Sequence, residues 1–270
     1  EPFSSLHIGK LYISDQSGDT ILFAPRMEAR FDLAQLFAQQ KITIYDASLS
    51  EASFHLRTDE AGQNNIMFLI DYFSADKADQ GTKRKINLDL RRVRLREITF
   101  SYLNQKTRVS GSNNSDRTEN ERQGQIDFGD IHASRISGDF TEIDFKGHLA
   151  KASIAGFSLT EKSGFRIARL DATAIVDTGS IELRAMDLQT NRSRIRDYLL
   201  LSFADFASFD DFINKVSVQA NLDQASIHSD DIAYFAPALR QIFFDVDISG
   251  TLSGKVNAIQ GRHIDLRTGE

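Results

Sequence analysis

The chain has 270 residues, 41% of them hydrophobic and 26% charged, with a formal net charge of −6 at pH 7 and no cysteine. That hydrophobic share belongs to a folded chain rather than a disordered one, and the acidic balance lacks the basic footprint of a nucleic-acid partner. Without cysteine, neither a disulfide framework nor a thiolate zinc site is available.

No positively charged segment followed by an apolar one comes after Glu1, so any signal or anchor is expected upstream of this stretch. Short runs then alternate apolar and polar with period 2, the signature of a half-buried strand. Leu6-Ile8 leads into Leu11-Ile13. Residues 32–39 place Leu33, Leu36 and Phe37 on one helical face behind Asp32 as N-cap, which predicts a short helix. Strand patterns return at Ile42-Ile44 and Phe54-Leu56. A second short helix is predicted over 65–73, where Ile66, Leu69, Ile70 and Phe73 share a face. The run 66–70, one of the longest apolar stretches, falls far short of the about 20 residues that a spanning helix needs.

Residues 74–85 are polar and read as a loop. Leu88-Leu90, Val93-Leu95 and Ile98-Phe100-Tyr102 resume the strand pattern. The polar stretch 104–125 is long enough to predict a flexible loop between an N-terminal part, 1–103, and a continuing β part, 126–270. Further strand runs are Ile143-Phe145, Ile154 to Leu159, Phe165-Ile167, Ile181-Leu183, Val216-Val218 and Phe244-Val246-Ile248. Between the last two, 229–242 predicts a helix with Ser229 as N-cap and Asp230 and Asp231 in its first turn. Pro237 is expected to kink or split it. The final residues stop within a strand-like pattern, and both ends are expected to be fragment boundaries. The fold class that follows is all-β: an elongated, curved antiparallel sheet, repeat-built, with a few short helices.

The repeat is specific. Residues 42–56 align without gaps on 88–102, an offset of 46 that places Ile42 on Leu88, Ile44 on Leu90, Leu49 on Leu95, Glu51 on Glu97 and Phe54 on Phe100. The apolar positions shift phase twice within each unit, which predicts a bend or bulge. Repetition of a β unit predicts an array whose units stack on their neighbours.

Four motifs bear on chemistry. Asp177-Thr178-Gly179-Ser180 after an apolar run resembles the aspartic-protease signature, whose chemistry needs a second carboxylate sharing one proton. A tight hairpin turn has the same composition. The sequence 245–250 imitates the start of an EF-hand loop, but Val256 stands where the bidentate Glu is required. The six histidines lack metal-ligand spacing, so no metal site and no cofactor are expected. Arg91, Arg92, Arg94 and Arg96 read either as a phosphate-binding strip or as a solvated outer strand face that discourages edge pairing.

Several stretches in succession resemble the N-terminal region of the TamB and AsmA-like envelope proteins. HIGKLYISDQSGDTILFAPRMEARFDLAQLF at 7–37 resembles that family's strand, D-x-x-G-D-T turn, second strand and short helix. KITIYDASLSEASFHLRTDEAGQNNIMFLIDYF at 41–73 resembles its strand pair followed by R-x-D-x-x-G-x-x-N-F, with Asn65-Ile66 where Asn-Phe is usual. VSVQANLDQASIHSDDIAYFAPAL at 216–239 and FDVDISGTLSGKVNAIQGRHIDLRTG at 244–269 resemble the family's later strand pairs. The resemblance implies a sheet folded lengthwise into a trough with an apolar floor. It implies a periplasmic, non-enzymatic segment that shields phospholipid between inner and outer membranes and takes part in outer-membrane protein assembly. The implied partners are a phospholipid, a barrel-assembly protein reached through a C-terminal part absent here, and the inner membrane through an absent N-terminal anchor. From the residues alone, Ile42, Ile44, Leu49, Phe54, Leu56, Leu88, Leu90, Leu95, Ile98 and Phe100 would fill an ordinary core; the resemblance makes them the lipid-groove lining. Two other functions stay open: a retropepsin-like protease using Asp177, and a purely structural β-repeat scaffold.

Overall fold

The computed structural model describes residues 3–32, 41–67, 87–105, 124–146 and 148–268. The alternating runs become strands. In chain order these are β1 (Phe3–Ile8), β2 (Leu11–Ser14), β3 (Thr20–Ala24), β4 (Arg26–Asp32), β5 (Lys41–Ser50), β6 (Ser53–Thr58), β7 (Asn87–Leu90), β8 (Arg92–Asn104), β9 (Asp130–Lys146), β10 (Leu149–Glu161), β11 (Arg166–Val176), β12 (Ser180–Gln189), β13 (Arg194–Ser202), β14 (Ser217–His228), β15 (Asp245–Lys255) and β16 (Gln260–Thr268). They form one open sheet in the order β1-β4-β5-β8-β9 and then in sequence to β16, with β2, β3, β6 and β7 continuing the strands at its start.

One step departs from the antiparallel expectation. β5 pairs with β7 and β8, and β6 with β8, in parallel. A parallel step needs a long crossover, and the connection from Thr58 to Asn87 supplies it. The register of this step is the sequence repeat itself: Ile42 lies opposite Leu88, Ile44 opposite Leu90, Leu49 opposite Leu95 and Phe54 opposite Phe100. The two repeat units are neighbouring rungs of one ladder, so like sits on like.

Both phase shifts have a backbone cause. The first is an irregularity between Arg30 and Phe31 opposite β5, echoed by the break between β7 and β8. The second is a left-handed residue, Glu51 (φ 57°) in one unit and Glu97 (φ 53°) in the next. Left-handed residues recur at Gly156, Ala185, Asp197, Gln224, Gly250 and His263, beside register shifts in β10, β12, β13, β14 and β15. Each bulge bends its strand. Aligned from strand to strand, they crease the sheet along its length.

The core is a stripe on one face rather than a sealed interior. Leu22, Leu49, Ala52, Ile98 and Ile136 form its first part, with Phe157 packed on it. Phe157 also packs on Leu170, Ala172 and Met186. Ile195 and Leu199 join that group to Ala220, Leu222 and Ala225. Among the described residues, half of the buried apolar ones are alanine.

Among the described residues two short helices accompany the sheet, α1 (Phe212–Lys215) and α2 (Ser229–Ala233), together with 3-10 turns at Phe206–Asp211, Pro237–Gln241 and Val256–Ala258. The helix expected over 229–242 is split at Pro237, which opens the second piece. Its N-cap is His228 rather than Ser229: the His228 ring accepts from the Asp230 N–H. Ser229 Oγ instead accepts from the Phe244 N–H at 3.2 Å, tying the two ends of the connector together. Of the helix expected over 32–39 only Asp32 is described, as the last residue of β4; all but the first residues of the one over 65–73, and the loops expected at 74–85 and 104–125, lie outside the described residues, apart from the edges of the last.

Candidate functional site

Five of the candidate groove residues, Leu49, Phe54, Leu95, Ile98 and Phe100, come together in one apolar cluster. Leu49 and Ile98 are buried, while Phe54, Leu95 and Phe100 are half-buried and pack against them. Ile44, Leu56 and Leu90 are half-buried. Ile42 and Leu88 are known by their register alone, opposite one another. The stripe continues beyond these residues: Ile167, Leu183, Leu188, Val218, Ile227, Ile248 and Leu252 are half-buried members of the later clusters. A residue packed in a dry core has neighbours on all sides. Here buried side chains such as Ile98, Leu170 and Met186 alternate with half-buried ones such as Leu95, Phe157 and Leu188.

The opposite face is ionic. Arg94 pairs with Asp46 at 2.6 Å and Arg96 with Asp139 at 2.8 Å. The Arg91 guanidinium lies 5.2 Å from the centre of the Tyr45 ring. This supports the outer-face reading of the arginine run over the phosphate strip. Further along the sheet, the Arg194 hydrogen bond holds Asp187 below the usual carboxylate range, and Arg184 does the same for Glu182.

The family-like motifs turn out to be turns. Asp15 accepts from the Ser17 and Asp19 N–H groups, with Gly18 left-handed at φ 90° between them. Asp59 accepts from the Gln63 N–H, with Gly62 at φ 86°. The Asn65 N–H donates to Arg57 O, and the Asn65 side chain accepts from the Arg57 N–H. Arg57 then joins the two turns, reaching Asp19 at 2.8 Å and Asp15 at 3.5 Å.

Asp177 lies in the β11–β12 hairpin. Its carboxylate accepts from the Gly179 N–H at 2.7 Å, and its own N–H donates to Ser180 O. The Gly179 amide holds its pKa below the usual range. A proteolytic dyad needs a carboxyl pushed up by a second one, so the geometry is that of a turn. A cavity of about 560 Å³ near the ends of β6, β8 and β10 holds one other pairing of chemical interest. There His55 Nδ1 and Ser101 Oγ lie 2.7 Å apart. They are directly opposite in the parallel ladder. Nucleophile activation also needs a group to orient the imidazole, and among the described residues no carboxylate bonds to His55.

Sequence reasoning missed the most concentrated aromatic feature. The ends of β10, β12 and β14 form one rim of the sheet, and the ends of β9, β11, β13 and β15 form the other. The connector 203–216 leaves the second rim, and the connector 229–244 leaves the first. They meet: Phe212 stands 5.6 Å from Phe235, ring centre to ring centre. Phe128, which precedes β9, lies 5.5 Å from Phe209 and 6.3 Å from Phe235. Phe203 and Phe165 anchor the two sides, 4.9 Å from Phe209 and 5.1 Å from Phe235. Phe165 and Phe203 continue the alternation of Ile167 and Leu199, so this bridge lies on the apolar face. The signal was present as Phe203, Phe206, Phe209 and Phe212, a three-residue spacing whose middle two members lie in a 3-10 turn of the same period.

Among the described residues no helix is long and apolar enough to cross a membrane, and no group of His, Asp and Glu could hold a metal ion. Comparison with protein-family models, curated proteins and solved structures returns no match.

Proposed function

We propose that the chain is a periplasmic segment of a bridge-like lipid-transfer and outer-membrane biogenesis protein of the TamB and AsmA-like kind, shielding phospholipid acyl chains in its trough. The observation that carries this reading is the continuous stripe of buried and half-buried apolar side chains from Ile13 to Leu252 on one face of a creased sheet. Hydrating an acyl chain of ~15 methylenes costs on the order of 12 kcal/mol at about 0.8 kcal/mol per CH₂. A floor that solvates the tail removes that cost while the head group stays in water at the open side. The work is carriage and needs no bond-making group. Its partners in this reading are phospholipid, an outer-membrane barrel-assembly protein and the inner membrane, the last two through segments outside this sequence.

Native mass spectrometry of the purified chain, followed by organic extraction and lipid analysis, tests it. Co-purifying phospholipid that is lost in Leu88→Asp and Phe100→Glu is the expected result. A lipid-free mass in all three proteins would favour a β-repeat scaffold instead.

A further inference from the structure

We propose that the phenylalanine bridge is a lateral gate on the trough, which must part for a lipid tail to enter sideways between β10 and β14. The inference rests on the lipid-carrying reading above. Its basis is how the bridge is held. The half from the second rim is tied to its own side: the Val216 N–H donates to Phe212 O, Asp205 and Ser208 form a capping box, and Asn257 donates to Asn214 at 2.7 Å. The half from the first rim is tied likewise. Asp231 accepts from the Thr190 hydroxyl and from the Arg192 and Ser193 N–H groups, and the Ile126 N–H donates to Tyr234 O. Between the halves, Phe128, Phe209, Phe212 and Phe235 meet ring on ring. Such a seam has no directional requirement. An acyl chain offers the rings the same apolar surroundings that they offer each other, so cargo can replace the seam while each half keeps its anchor.

The absence of cysteine makes the test clean. Phe212→Cys and Phe235→Cys are introduced together and joined by a bifunctional thiosulfonate reagent that a reductant cleaves. Uptake of fluorescent phosphatidylethanolamine from phosphatidylcholine vesicles is then timed, with each single variant treated alike and circular dichroism confirming the fold. The joined protein should take up lipid about tenfold more slowly, because parting of the bridge then limits entry, and recover on reduction. Equal rates before and after reduction would overturn the gate and leave lipid carriage standing. No uptake by the unmodified chain would remove the carriage reading and the gate with it.

Discussion

Asp231 shows how much one side chain holds in a sheet with little interior. It is 4% exposed, and one carboxylate oxygen takes the Thr190 hydroxyl and the Arg192 and Ser193 N–H groups. The other oxygen is buried without a partner. These bonds fasten α2 to the β12–β13 turn, and Arg192 adds an ion pair to Asp230 at 2.8 Å. Ser193 is itself buried, and its Oγ accepts from the His228 N–H. Removing the acceptor strands donors that water reaches poorly, and each such group costs about 1–3 kcal/mol. Asp231→Ala should therefore lower unfolding stability by about 2–4 kcal/mol. Asp231→Asn keeps one acceptor oxygen and should lose less. Urea denaturation of the two variants decides it: equal midpoints with the unsubstituted chain would show that α2 does not depend on this carboxylate.

At the scale of the element, the crease makes an opposite prediction from ordinary strand rules. Glycine inside a strand is normally destabilising. Glu97 is exposed and left-handed at φ 53°, a conformation that costs an L-residue roughly 1–2 kcal/mol and glycine nothing. Glu97→Gly should accordingly be neutral or stabilising by about 1 kcal/mol after the glycine's larger unfolded entropy is counted. Glu97→Val should destabilise, because a β-branched residue is poorly suited to positive φ. A thermal midpoint that falls for Gly and rises for Val would mean the chain is extended there. The repeat made this bulge legible in sequence, since Glu51 and Glu97 align where the apolar phase slips. Strand β13 was harder to see because its own bulge at Asp197, φ 89°, breaks the alternation of Ile195 and Leu199. The parallel pairing of β5 with β8 was not legible at all. An offset states that two units are alike, and nothing in it says whether they run side by side in the same direction.

Across the whole molecule, the groove residues could be placed on one face from alternation, whereas their degree of burial could not. Burial depends on what lies over the face, and alternation is identical for a sealed core and an open floor. The bridge as a whole was illegible for a related reason: the Phe spacing at 203–212 marks one connector, and nothing in it says that rings from two other connectors meet it. The open floor has a measurable consequence. Leu95 and Ile98 are neighbours on the same strand and the same stripe, but Ile98 is 1% exposed and Leu95 is half-buried. A carboxylate at a sealed position must be stripped of water and held without a partner, which costs several kcal/mol or forces the group to protonate. A carboxylate on a floor open to solvent keeps part of its hydration. Leu95→Asp should cost about 1–2 kcal/mol and leave a folded chain, while Ile98→Asp should cost about 4 kcal/mol or more. In the proposed lipid-carrying role, the folded Leu95→Asp protein should nevertheless carry less phospholipid than the unsubstituted chain, because a charge would then face the acyl tails. If both variants are equally damaged, the stripe is a packed core; if Leu95→Asp folds and carries lipid undiminished, the tails do not run along this floor.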